Sequence, residues 1–167
     1  PSRQGRPQVI LNGVDSAALG PAAEKAREVV YVGRLSPQKG GLLFARAAAA
    51  LHAALPDWRF VLIGARRFTG GRGSDYEREV AAALAPAGAQ GEVTGYIPRT
   101  EVFARLSRAA IAIIPSLWDE PFCLAAAEAM SAGCAVVATC RGALPEVIAD
   151  AGRYFSPDVE GDLVMHI

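Results

Sequence analysis

Three polar clusters in this sequence carry residue types that can grip a charged, hydroxyl-rich ligand. The first is Gly33-Arg34-Leu35-Ser36-Pro37-Gln38-Lys39-Gly40-Gly41. Glycine lets a ligand approach the backbone. Arg34 and Lys39 set two cations beside an expected helix N-terminus, whose free N–H groups and dipole also favour an anion. A diphosphate suits that combination. The spacing is not GxxxxGK[ST], since Lys39 is followed by glycine and Gly33 stands six positions before it, and it is not GxGxxG. Taken alone, the cluster is equally well explained as a solvated turn with two surface cations.

The second cluster is Glu120-Pro121-Phe122-Cys123-Leu124-Ala125-Ala126-Ala127-Glu128, two glutamates separated by seven residues. Glu120 is expected in a loop after a strand and Glu128 about two turns into the next helix. Eight residues rise about 12 Å when wholly helical. A hydrolytic acid pair stands only ~5–9.5 Å apart, so these carboxylates fit that role poorly unless loop folding draws them together. They can instead hold separate parts of one extended ligand, because a carboxylate is a good acceptor for sugar and ribose hydroxyls. The amides of Phe122, Cys123 and Leu124, at the start of the helix, are free to bind oxygen atoms. An exposed-face glutamate is the competing reading of Glu128. The neighbours Ala125, Ala126, Ala127, Ala129 and Met130 oppose it, since a glutamate on a helix apolar nearly all round needs a partner. The third cluster, Gly95-Tyr96-Ile97-Pro98, is a turn that can flank a flat base; alone it reads as a plain turn.

The elements that position these clusters follow from hydrophobic patterning. Strands are expected at 28–33, 58–64, 92–94, 109–115, 135–139 and 153–155, with helices at 39–55, 75–84, 100–108 and 122–132 and a helical turn at 145–148. Thr100 is the expected N-cap of its helix. The strands are apolar throughout rather than alternating, and they take turns with helices. That pattern specifies a doubly wound, Rossmann-like α/β domain: a parallel sheet of about six strands with helices on both faces. Ligands in such sheets bind at the carboxyl ends of the strands, where all three clusters fall. Arg66 to Ser74 reads as a basic, glycine-rich loop. Residues 1–27, with Val9-Ile10-Leu11 as a short strand, fit the scheme less well and read as a connector arriving from an upstream domain.

Bulk properties narrow the function. The chain has 167 residues, the size of one domain, and 51% of them are apolar. Lysines plus arginines balance aspartates plus glutamates at 17 each. A chain bound to nucleic acid or an acidic membrane usually carries a basic excess, so anion binding here must be local. Cys123, Cys134 and Cys140 are odd in number and lack CxxC spacing, and His52 and His166 are the only imidazoles. Reduced, buried thiols in a cytosolic protein are expected rather than a zinc or disulfide framework. No apolar run reaches the length of a membrane span.

In order along the chain, Tyr31-Val32-Gly33-Arg34-Leu35 with Gly40, Gly95-Tyr96-Ile97, Pro115-Ser116, Glu120-Pro121-Phe122 and Glu128-Ala129-Met130-Ser131-Ala132-Gly133 resemble the C-terminal half of the group 1 (family 4) retaining glycosyltransferases. The likeness continues through Cys134-Ala135-Val136-Val137-Ala138, Gly142 and Leu144-Pro145-Glu146-Val147-Ile148. Asn12-Gly13-Val14-Asp15 is similar to that family's interdomain linker.

The resemblance implies the C-terminal half of a GT-B fold, with residues 1–27 as connector and 28–167 as a donor-binding domain truncated at its C-terminus. It implies sugar transfer from a UDP- or GDP-linked donor, with retention and without a metal or other cofactor. Arg34 and Lys39 would neutralise the diphosphate and Glu120 would bind the donor sugar, the three forming the catalytic set. Gly33 and the Phe122, Cys123 and Leu124 amides would contact sugar and phosphate, Glu128 the ribose, and Tyr96 and Ile97 the base.

The acceptor, a glycan, lipid-linked sugar or small molecule, would bind mainly on another domain, leaving this chain inactive alone. A bacterial, cytoplasmic protein at the inner membrane face, with no nucleic-acid partner, is the matching expectation. The family usually has glycine where Cys123 stands, a departure that would narrow the sugar pocket or alter how closely the backbone approaches the ligand. A GT-B epimerase or phosphorylase and a non-catalytic nucleotide-binding module are the alternatives. An NAD-dependent dehydrogenase is disfavoured by the missing GxGxxG.

Overall fold

Six strands form one all-parallel sheet in the spatial order 91–95, 59–63, 26–32, 109–114, 135–139 and 152–155, with apolar runs at its centre and the more polar segments 91–95 and 152–155 at its edges. The computed structural model describes residues 8, 10, 12–15, 17, 23–66, 74–159 and 161–167. Its strands are β1 (Ala26–Val32), β2 (Arg59–Ile63), β3 (Gly91–Gly95), β4 (Ala109–Ile114), β5 (Ala135–Thr139) and β6 (Gly152–Phe155). Helices α1 (Gly41–Leu51), α2 (Asp75–Leu84), α3 (Arg99–Arg108), α4 (Leu124–Ser131), α5 (Leu144–Ile148) and α6 (Asp162–Met165) connect and cover them.

Strand pleating sends successive side chains to opposite faces. Val29 and Tyr31 of β1 therefore join a core with Phe44, Ala48, Val80, Leu84 and Leu163, under α1, α2 and α6. Val30 joins the other core with Phe103, Leu106, Ala126, Ala129, Leu144 and Ile148, under α3, α4 and α5. Both faces are covered, which is why the central strands carry apolar residues without alternation. The doubly wound fold expected from the sequence is the fold found.

Local departures have local causes. The helix expected over 39–55 is split into a 3-10 turn at Pro37–Lys39 and α1 from Gly41. Gly40 breaks it with φ +70°, and a Cβ there would lie 1.8 Å from the Pro115 carbonyl oxygen. The break thus lets the β1 loop touch the β4 loop. Thr100 is not a cap: α3 starts at Arg99 with Pro98 preceding it at φ −58°, a value the proline ring supplies without a side-chain cap. The helix expected from Phe122 begins at Leu124, so Glu128 lies little more than one turn in. A 3-10 stretch at Ala85–Gln90 and α6 had no clear periodic signal. Ile10 is non-helical, unpaired coil and 86% exposed, while Val9 and Leu11 lie outside the described residues, as does most of the Arg66–Ser74 loop.

Candidate functional site

The chain runs β1, β2, β3 to one side of the sheet and then returns to place β4 on the other side of β1. At this switch point the connections from β1 and β4 lead to helices on opposite faces of the sheet, and a crevice lies above the strand ends. A cavity of about 380 Å³ occupies it. Seven of the ten predicted site residues line that cavity: Gly33, Arg34, Lys39, Glu120, Phe122, Cys123 and Leu124.

Buried contacts fix the loop after β1. The Tyr31 hydroxyl donates to the Arg34 carbonyl at 3.0 Å, and the Gly33 and Leu35 amides donate to Ile63 and Ala65 carbonyls at 3.0 and 3.1 Å. Burial pushes the Tyr31 phenol well above its ordinary range, so it remains a neutral donor. Arg34 has no carboxylate partner among the described residues. Its charge is therefore available to the cavity.

Glu120 is the most heavily constrained group in the site. Only 4% exposed, it accepts hydrogen bonds from Lys39 Nζ and Ser116 Oγ, each at 2.6 Å. Its backbone carbonyl accepts from the Ala143 amide at 2.7 Å. Gly142, at φ +56°, packs so closely that a Cβ would meet Glu120 backbone atoms at 2.3 Å. The Leu117 amide donates to the Gln38 carbonyl at 2.8 Å, fastening the two loops together. Lys39 also lies 5.3 Å from the Trp118 ring centroid, within cation–π range.

Cys123 precedes α4 in the left-handed region, at φ 73° and ψ 79°. That conformation costs a side-chain-bearing residue roughly 1–2 kcal/mol, which accounts physically for glycine as the residue expected there. The residue is half-buried and lines the cavity, and burial pushes its thiol pKa up. The amides of Phe122, Cys123 and Leu124 donate to no backbone carbonyl among the described residues, so the helix start keeps donors for an anion.

The other three predicted residues do not line that cavity. Glu128 is 7% exposed and ion-paired with Arg99 at the first position of α3. Burial pushes the Glu128 carboxyl above its ordinary range, and Arg99 pulls in the opposite direction. Ile97 packs partly buried on the core, and Tyr96 is 55% exposed. Asn12, Ser116 and Arg99 join the site without having been predicted as members. Arg99 had one available signal: an acidic residue on an apolar helix demands a cation.

The sequence profile described as Glycosyl transferases group 1 matches residues 18–161. The chain belongs to this family. Among curated relatives, the lipopolysaccharide 1,2-N-acetylglucosaminetransferase of Salmonella typhimurium is 29% identical over 86% of this chain and 39% of its own. The D-inositol 3-phosphate glycosyltransferase of Mycobacteroides abscessus is 36% identical over 85% of this chain and 31% of its own. The chain thus spans about two fifths or less of either enzyme. Among solved structures, the C-terminal domain of a glycosyl transferase group 1 family protein (LpcC) from Francisella tularensis superposes with a TM-score of 0.78. It is 29% identical, covering 92% of this chain and 85% of that domain.

In this group 1 glycosyl transferase chain, Cys134 is buried, Cys123 half-buried and Cys140 exposed, all as free thiols. Cys140 departs from the expected burial because it follows the last residue of β5, at the strand's open end. Among the described residues no group of acidic, histidine and cysteine side chains could hold a metal, and no helix is long and apolar enough to cross a membrane.

Proposed function

We propose that this chain is the donor-binding half of a retaining glycosyltransferase that moves a sugar from a nucleotide-sugar to an acceptor held mainly by another domain. One observation carries the reading: Arg34 and Lys39 after β1, and Glu120 with the unbonded amides before α4, converge on a single cavity at the switch point. A 25% identical structure with a TM-score of 0.70, Anabaena Alr3699/HepE, is described in complex with UDP and glucose. That supports a nucleoside diphosphate as the ligand class.

Arg34, Lys39 and the helix start stabilise charge that grows on the departing diphosphate, an electrostatic contribution that strengthens in a water-poor site. Glu120 accepts from donor-sugar hydroxyls, Glu128 from the ribose, and Tyr96 with Ile97 borders the base. The direct test is thermal protection by UDP, GDP and NAD. A rise in melting temperature with UDP or GDP but not NAD is expected; protection by NAD alone, or by none of them, overturns the reading.

A further inference from the structure

We propose that Arg99 is a positioning residue that holds Glu128 in one orientation with one carboxylate oxygen left for the donor ribose; the inference rests on the donor-site reading above. Glu128 sits on α4 between the fully buried Ala126 and Ala129. At 7% exposure little of that carboxylate is solvated, and an unpaired buried charge is strongly unfavourable. Arg99 reaches it from the first turn of α3, directly after the Tyr96-Ile97-Pro98 turn.

The guanidinium is itself held from a second side. It lies 4.9 Å from the ring centroid of Phe103, one turn along α3 and 4% exposed. Arg99 Nη2 bonds Glu128 Oε1. Glu128 Oε2 accepts no hydrogen bond from the described residues, and a carboxylate oxygen has capacity for further donors. The arrangement links the base-side turn to the ribose grip through one ion pair.

Arg99 also bears on the ionisation of Glu128. Elements α3, α5, β4 and β5 pack against α4. Strands β4 and β5 carry no ionisable side chain, and Glu146 of α5 is exposed and is not among the groups acting on Glu128. From α3, Arg99 is the charge that acts on it, opposing the upward push of burial. Without Arg99 the carboxyl titrates higher still. A grip that needs the carboxylate then fails progressively as pH falls through that raised value.

The test compares UDP with 2′,3′-dideoxy-UDP by calorimetry across acidic to neutral pH, for the wild type, Arg99→Met and Arg99→Lys. Arg99→Met should weaken UDP about tenfold on the acid side, a size typical for disturbing a charged hydrogen bond. The loss should shrink as pH rises. Dideoxy-UDP should be little affected, and Arg99→Lys should restore most of the UDP affinity. In the free protein, a carbon-13 titration should show a higher Glu128 midpoint in Arg99→Met. An unchanged midpoint, or equal loss for both nucleotides, overturns the positioning role while leaving the donor site intact. A wild type that binds neither nucleotide overturns the donor-site reading and this inference with it.

Discussion

Lys39 Nζ stands 2.6 Å from Glu120 Oε1, joining loops that are 81 residues apart in the chain. One salt bridge therefore ties the proposed phosphate grip to the proposed sugar grip. In the free protein Lys39 balances Glu120, while Arg34 is the cation without a carboxylate partner among the described residues.

Lys39→Ala should consequently act twice. Nucleoside diphosphate affinity should fall by roughly 1.5–3 kcal/mol, the usual worth of a charged hydrogen bond. The free protein should also melt at a lower temperature, because among the described residues Glu120 keeps only the Ser116 hydroxyl as a side-chain partner and a buried carboxylate that loses its cation is destabilising. Lys39→Ala combined with Glu120→Gln should recover part of that melting temperature. Calorimetry and thermal melts check both; unaltered affinity in Lys39→Ala removes it from the phosphate grip.

The two glutamates should separate by ligand. Glu128→Gln should weaken UDP, of which the ribose is part. Glu120→Gln should spare UDP and weaken only the sugar-bearing donor. Titrating both ligands into both variants decides the matter, and equal losses in every combination would end this division of labour.

Fold and site were unequally legible in the sequence. Apolar runs with intervening helical periods mark the central strands, because a strand covered on both faces must be apolar at every position, as Val29, Val30 and Tyr31 are; the edge strands β3 and β6 carry a weaker signal. The cavity's charged residues were visible too, since they follow strands. Their pairing was not: nothing local tells Lys39 to meet Glu120, or Arg99 to meet Glu128. Those contacts depend on the order β2-β1-β4 and on Gly40 fitting against Pro115. The cap of α3 was misplaced for another reason: the backbone geometry of Pro98 does what the hydroxyl of Thr100 was expected to do.

Cys123→Gly should raise stability. The left-handed backbone costs cysteine roughly 1–2 kcal/mol, and glycine's larger loss of chain entropy returns roughly 0.5–1 kcal/mol of that. Cys123→Ala isolates the backbone contribution, because alanine removes the thiol and keeps the strain. The glycine variant should melt above the alanine variant; the reverse order would show that the backbone at 123 is not strained.

The start of α2 predicts a pH dependence. Ser74 and Glu77 form a reciprocal cap, with the Ser74 amide donating to Glu77 at 2.5 Å and the Arg66 amide at 2.8 Å. These amides hold the Glu77 carboxyl below its ordinary value of 4.5. A depressed folded-state pKa gives stability that is complete above the unfolded value and lost as pH falls through the folded one. Glu77→Ala should therefore cost about 1 kcal/mol at neutral pH, the usual worth of a cap. The gap between variant and wild type should close on acidification below that ordinary value. Denaturant melts at neutral and acidic pH check it; a gap independent of pH would assign the cost to something other than the carboxylate.

The last prediction concerns turnover. Both curated enzymes compared above are more than twice the length of this chain, and the residues of the proposed donor grip line the cavity at its switch point. Closure of a second domain over the donor aligns the reacting atoms, and orientation of that kind supplies on the order of 7–11 kcal/mol of a barrier. The 167-residue chain should therefore bind a nucleoside diphosphate weakly and transfer no sugar. Donor hydrolysis should stay near background as well, because among the described residues the one carboxylate lining the cavity, Glu120, is engaged by Lys39 and Ser116 rather than free to activate water. Product release from UDP- and GDP-sugars is the measurement, repeated with the acceptor-binding half of a relative added separately. Sustained turnover by this chain alone would show that its own residues complete the active site.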